Sequence, residues 1–234
     1  RQIARASFGN LSLRAKLIIA FVGVTAISVT ALAFVTNRIV RTQLTAQVGA
    51  TMKSLANEQA VTVGDVMAKH ADALQALALN KPLQDAVMAA NAAATDDQAE
   101  IDKLDQQWRA ADDADNDADP LVQSVLNNAI ASELRIYRDT FPENVEIFVT
   151  NQHGVNVAAT NRTSDYYQAD EAWWQEAYNG GQGTVFIGQP AINESSRTFS
   201  INIAAPVYAH DTREVIGVLH TTLDHQVLID VMAL

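Results

Sequence analysis

The hydrophobic positions divide the chain into three regimes. The first is Leu17–Thr36, twenty residues without a charge between Lys16 and Arg38. At about 1.5 Å per residue such a helix spans roughly 30 Å, the thickness of a bilayer's hydrocarbon core. From Leu44 the apolar stripe recurs at Val48, Met52, Leu55, Val63, Val66, Leu74 and Leu77, with Gln59 and His70 as polar members. Its steps of 4-4-3 repeat every eleven residues, close to the period of a straight α-helix. One long helix over 42–79 is therefore predicted, ended by Asn80-Lys81-Pro82. Joined to the uncharged run, it makes a rod of about 60 residues, roughly 90 Å long.

Ala-rich helical pieces follow near 83–94, 97–111 and 121–140. After Pro142 the period changes to two. Val145–Thr150 and Val155–Thr160 read as strands joined by the turn Asn151-Gln152-His153-Gly154. A short helix is predicted around Asp170–Tyr178. Further strands are predicted near Thr184–Gly188, Thr198–Val207 and Val215–Leu223, and a helical tail over Asp224–Leu234. The turn Asn179-Gly180-Gly181-Gln182-Gly183 lacks the Gly-Lys-Ser/Thr ending of a phosphate loop and serves as backbone punctuation. All pairings can be antiparallel. The fold class is α+β, a five-stranded antiparallel sheet over 145–223 with helices packed against it.

Charge adds an orientation. Residues 1–41 hold six basic and no acidic side chains, while the remainder holds 10 basic and 27 acidic ones. Positive-inside reasoning puts a segment 1–16 in the cytoplasm, a membrane helix at 17–36 and residues 42–234 outside. Ala31-Leu32-Ala33 has the form of a signal-peptide cleavage site, but the helical pattern runs past it unbroken, which favours an uncleaved anchor. The expected plan is one outside domain over 37–224, with a further helix beginning at 225. A first residue of Arg suggests a fragment or a processed chain. The net charge of −11 argues against a nucleic-acid partner. The absence of Cys excludes disulfides, thiolate metal sites and cysteine nucleophiles.

Four of the eight Tyr and Trp residues, Tyr166, Tyr167, Trp173 and Trp174, fall within nine positions. Large amphipathic rings suit the wall of a pocket for a small organic molecule; the competing reading is a small core under a short helix. Strand alternation puts Phe199, Ile201, Ile203 and Ala205 on one face and Ser200, Asn202 and Ala204 on the other. In the next strand Ile216, Val218 and His220 share a face. Phe186, Asn202 and His220 join the aromatic residues as candidate ligand contacts. Asp113, Asp115 and Asp117 have the alternate spacing of a calcium loop. However, Ala118 stands at the glycine position and Ser124 at the twelfth, so a solvated acidic loop is the alternative. His70, His153, His210, His220 and His225 have no metal-ligand spacing and no Gly-x-Ser-x-Gly elbow occurs, so no catalytic residue and no cofactor are expected.

Two stretches resemble a known family. Asn10-Leu11-Ser12-Leu13-Arg14-Ala15-Lys16-Leu17, leading into the apolar run, looks like the first membrane helix of bacterial sensor histidine kinases and chemoreceptors. Ser164-Asp165-Tyr166-Tyr167-Gln168-Ala169-Asp170-Glu171-Ala172-Trp173-Trp174 resembles the pocket-forming stretch of Cache domains, the PAS-like extracytoplasmic sensors. Ala205-Pro206-Val207 and Glu214-Val215-Ile216-Gly217-Val218-Leu219 continue the likeness in order, over about 145–224. The resemblance implies a ligand-sensing input module, a second membrane helix and a cytoplasmic output domain such as a kinase or cyclase. Amino-acid-binding Cache domains carry an Arg before the aromatic pair. Here Glu171 and Ala172 stand there, which argues against an amino acid gripped in that manner. The stripe over 44–77 predicts a homodimer through the long helix. The alternative function is an anchored structural or self-assembling domain without a small-molecule ligand.

Overall fold

The computed structural model describes residues 12–192 and 199–232. Expectations placed on residues 1–11, on Thr198 and on Ala233-Leu234 lie outside the described residues. The chain divides into two compact units, 1–58 and 59–234, and the boundary falls inside helix α1 (Leu13–Ala78).

In the first unit, residues 17–36 of α1 carry no charge and turn apolar side chains outward. Leu17, Phe21, Val24, Ile27, Leu32 and Phe34 are all exposed. The hydroxyls of Thr25, Ser28 and Thr30 donate to the carbonyls of Phe21, Val24 and Ala26 at 2.8–2.9 Å. Polar groups satisfied within the helix and apolar surface turned outward are what a lipid environment demands. By length and composition this helix can cross a membrane.

In the second unit the end of α1 turns its stripe inward. Met67, Ala71, Leu74 and Ala78 are buried, with Val63, Val66 and Leu77 packed at the edge of the same core. The stripe predicted to seat a second copy over 44–77 is thus taken, from Val63 onward, by the sheet of its own chain. Leu44, Val48, Met52 and Leu55 remain exposed.

Helices α2 (Lys81–Ala93) and α3 (Gln98–Asp113) start at Asn80 and Asp97, whose side chains accept from Leu83 N and Ala99 N. Where one helix is predicted over 121–140, two occur, α4 (Pro120–Leu126) and α5 (Ala129–Thr140). The cause is Asn128. Its Oδ1 accepts from Ala131 N at 2.9 Å, capping α5, and its Nδ2 donates to the carbonyls of Ser124, Val125 and Val157. Asn128→Ala removes the cap and the tie to the sheet together, and is expected to cost about 1–2 kcal/mol, read from urea unfolding.

The sheet has six strands, one more than predicted: β1 (Asn144–Asn151), β2 (Asn156–Ala159), β3 (Phe186–Ile187), β4 (Ala191–Ile192), β5 (Phe199–Tyr208) and β6 (Val215–Asp224). The added strand β4 is two residues long, too short to leave an alternation signal. The order is β2-β1-β6-β5-β3, with β4 also paired to β5, and every pairing is antiparallel. Helix α6 (Ala172–Tyr178) precedes β3, and α7 (Gln226–Met232) follows β6. The α+β class predicted from the sequence, an antiparallel sheet with helices packed against it, is the one observed.

One face of the sheet presents Ile147, Val149, Ile201, Ile203, Leu219 and Leu223 to α1, α2 and α5. The other presents Phe148, Ala204 and Val218 to α3, α4 and α6, around Trp108, Trp173 and Trp174. The predicted shared face of Ile216, Val218 and His220 is corrected here. The register between β5 and β6 shifts at Val207/Tyr208, and Ile216 falls in that irregularity and enters the first core instead. Next to it, a Cβ on Gly217 would lie 2.1 Å from Thr150 O, so β1 and β6 approach where only hydrogen fits.

Candidate functional site

The strand register builds the floor of a cavity. Phe148 pairs across with His220, and His220 with Ala204; two residues along, Glu146 pairs with Thr222, and Thr222 with Asn202. The period of two places these rows on one face, that of the second core. Over them lie Thr163, Ser164, Gln168, Glu171 and Trp173, with Ile192 at one side. The cavity holds about 210 Å³. Its lining is mainly polar, with Phe148, Trp173 and Ile192 as the apolar part.

The covering segment 163–168 is held by hydrogen bonds rather than by regular structure. From α3, Trp108 Nε1 donates to Thr163 O at 2.8 Å, and Asp105 Oδ1 accepts from Tyr166 N and Tyr167 N at 2.8 and 3.1 Å. Arg109 reaches both Asp105 and Asp165. From β2, Asn156 Nδ2 donates to Thr163 Oγ1 at 2.8 Å and to Asp165 O at 3.0 Å. The turn contributes as well. Gly154 sits at φ +79°, and its carbonyl accepts from Gln168 N at 2.7 Å. A Cβ there would lie 2.4 Å from that of Ala169, so glycine is needed both for its conformation and for the close approach.

His220 is the chemically unusual member. It is 2 % exposed, and neither ring nitrogen has a hydrogen-bond partner among the described residues. Its ring packs against Phe148 and Trp173 at centroid distances of 4.5 and 4.3 Å. Burial pushes its pKa down to about 3, so the imidazole is neutral near pH 7, with one donor and one acceptor nitrogen. Leaving such groups unpaired costs roughly 1–3 kcal/mol. Asp165 shifts the other way. Burial raises its pKa to about 6 against the opposing pull of Arg109.

Of the residues singled out from sequence, Trp173, Asn202 and His220 line this cavity. Tyr166 lines a second cavity and packs on Trp108. Tyr167 is half-buried and bridges to Val155. Trp174 is buried, donates to Thr150 Oγ1 at 2.9 Å and stacks on Tyr178. Phe186 packs at the edge of the second core. Sequence reasoning passed over Glu146, Phe148, Thr163, Ser164, Gln168, Glu171 and Ile192. A signal for two of them existed: Glu146 interrupts an apolar strand and stands two residues before Phe148, on the same face.

The acidic loop is organised around an arginine. Arg162 makes ion pairs with Asp112, Asp115 and Asp117. No group of three or more acidic or histidine ligands suited to a metal occurs among the described residues. Of the calcium candidates, Asp115 and Asp117 share Arg162, while Asp113 lies outside that set.

No family model and no curated protein matches the sequence. Among solved structures the chain is similar to the sensor domain of the V. cholerae histidine kinase DctB, with 16% identity over 77% of this chain and 57% of that one and a TM-score of 0.48. It is also similar to the ligand-binding domain of the Campylobacter jejuni chemoreceptor Tlp3 in complex with L-valine, with 14% identity over 75% of this chain and 66% of that one and a TM-score of 0.38. A third is the ligand-binding domain of the Pseudomonas aeruginosa PAO1 amino acid chemoreceptor PctB in complex with L-Arg, with 17% identity, coverage of 56% and 50%, and a TM-score of 0.32. The chain thus spans 50–66% of the length of these solved chains.

Proposed function

We propose that the chain is a membrane-anchored extracytoplasmic sensor module that binds a small polar solute between the sheet and segment 163–173. Occupancy would bias α1 and α7, the two helices that bracket the domain in sequence, and so act on an output domain beyond this sequence. The observation that carries the reading is the cavity itself, about 210 Å³ between the sheet and segment 163–173, lined by Glu146, Gln168, Glu171, Asn202 and His220 beside Phe148 and Trp173. Trp173 and Phe148 supply apolar area, and Asn202, Gln168 and Thr163 supply directional groups. That combination fixes the orientation of a small molecule.

Signalling requires different ligand affinities for two conformations of the domain. The exposed residues Leu44, Val48, Met52 and Leu55 offer a seam for a second copy through the long helix, in keeping with a dimeric receptor. Residues 17–36 supply the anchor, with residues 42–234 outside the membrane.

The test is a thermal-shift screen of the full chain in detergent micelles against small polar solutes. At least one solute is expected to raise the melting temperature. Asn202→Ala and His220→Leu are each expected to weaken that solute by about tenfold or more, while both variants still melt cooperatively. A screen without a stabilising solute, or a hit that neither variant weakens, refutes the sensing role of this cavity.

A further inference from the structure

Asp165 is buried beside the wall of the first cavity. Ser164 and Gln168, which line that cavity, both donate to its Oδ1, Ser164 from Oγ at 3.4 Å and Gln168 from Nε2. From α3, Arg109 Nη2 donates to its Oδ2 at 3.2 Å. Three donors from two elements thus converge on one carboxylate. The backbone of Asp165 is fixed separately. Its carbonyl accepts from Asn156 Nδ2, Thr163 Oγ1 and Gln168 Nε2 at 2.6–3.0 Å. A change at the carboxyl is therefore taken up by the side chains bonded to it.

An ionised carboxylate only accepts hydrogen bonds, whereas the neutral acid brings a proton of its own to donate. Arg109 stays charged and only donates, so Oδ2 is the oxygen less able to take that proton. The proton falls on Oδ1, where it meets Ser164 and Gln168. A serine hydroxyl can turn and accept it; an amide N–H cannot. Protonation thus reverses the role of Ser164 and deprives Gln168 Nε2 of one of its two acceptors. Both changes occur in the cavity wall.

The charged groups that face Asp165 are Asp105 and Arg109 from α3 and Asp170 and Glu171 from its own segment, while β2 sets the amide of Asn156 against it. Burial raises its pKa to about 6, against the pull of Arg109 and with the support of Asp105, Glu171 and Asp170. The exchange therefore falls just below neutral pH.

We propose that Asp165 positions the polar wall of the first cavity, and that its protonation resets which hydrogen bonds Ser164 and Gln168 offer to an occupant. With Asp165 ionised, the Ser164 hydroxyl is spent on it and offers the cavity lone pairs; with Asp165 neutral, Ser164 offers its proton. A solute that donates to Ser164 is held better in the first state, and one that accepts from it is held better in the second. This consequence for binding rests on the sensing reading above; the switch in the wall does not.

The experiment titrates the full chain in neutral detergent micelles to both sides of pH 6, with no solute added, and follows isotope-labelled glutamine side-chain amides by NMR. The Gln168 resonance, identified by its absence from Gln168→Met, is expected to shift with a midpoint near pH 6. The shift is expected to vanish in Asp165→Asn. Its midpoint is expected to rise in Arg109→Gln, because the guanidinium, itself half exposed, holds the carboxyl's pKa down. A role confined to packing predicts neither result. A Gln168 resonance that stays flat in the wild type, a titration that survives Asp165→Asn, or a midpoint that Arg109→Gln leaves unmoved or lowers would each overturn the proposal. Because no solute is present, a failed thermal-shift screen counts against the sensing reading alone.

Discussion

Asp165→Asn is expected to make the domain acid-sensitive, and His220→Leu is expected to reverse the sign of that dependence. His220 titrates near pH 3 when folded and near its ordinary 6.5 when unfolded, so between these values the unfolded chain binds the extra proton. Its contribution to stability is complete above about pH 6.5 and is lost as the pH falls, at about 1.4 kcal/mol per unit. Asp165 titrates near 6 when folded and 3.8 when unfolded. In that window the folded chain binds the extra proton, so stability rises as the pH falls from about 6 to 3.8. Its slope is smaller, because the carboxylate is only partly desolvated and faces Arg109.

In the wild type the two groups oppose each other over the shared window. Removing the carboxyl titration uncovers the histidine alone, and stability is expected to drop by roughly 2–3 kcal/mol between pH 6.5 and 4.5. Removing the imidazole uncovers the aspartate alone, and stability is expected to rise slightly over the same range. Urea unfolding at closely spaced pH values checks both. Parallel pH profiles for the wild type and His220→Leu would contradict a histidine buried in the neutral form.

Trp108→Ala is expected to be the most destabilising single change at the site, by about 3–5 kcal/mol. Trp108 is fully buried, its ring centroid lies 5.8 Å from that of Tyr166, and its indole N–H holds the Thr163 carbonyl. Truncation opens a cavity beneath segment 163–168 and releases one of its anchors. Trp108→Phe separates the two effects. It keeps most of the packing and loses the hydrogen bond, for an expected 1–3 kcal/mol. Ligand affinity in the first cavity should fall in both variants, because Thr163 loses its support in both. A Trp108→Phe protein with unaltered stability and unaltered binding would show that the indole N–H does not position the segment.

The elements of this protein were legible because each depends on local periodicity. A charge-free run of twenty residues, an eleven-residue stripe and a change to period two after Pro142 announce a long helix, shorter helices and an antiparallel sheet. The exceptions are instructive. Asn128 divides a predicted helix by a contact to Val157, twenty-nine residues away, which no local pattern contains. The irregularity beside Gly217 sends Ile216 to the opposite face, because alternation counts residues and a register shift adds one.

The candidate site was legible only in part, for a related reason. The cluster of rings between Tyr166 and Trp174 marks the region in sequence, since large side chains concentrated at low overall aromatic content stand out. Which ring faces a hollow depends on the register of three strands and on the hydrogen bonds from Asp105, Trp108 and Asn156. By itself the sequence determined the class of fold, the apolar helix and the segment that covers the first cavity, all of them consequences of spacing along the chain. The tertiary structure alone decided that His220 and Asn202 share a cavity with Trp173, that Tyr166 belongs to another, and that the end of the long helix packs on its own sheet. Burial and partner choice are properties of residues far apart in sequence, and only the folded chain brings them together.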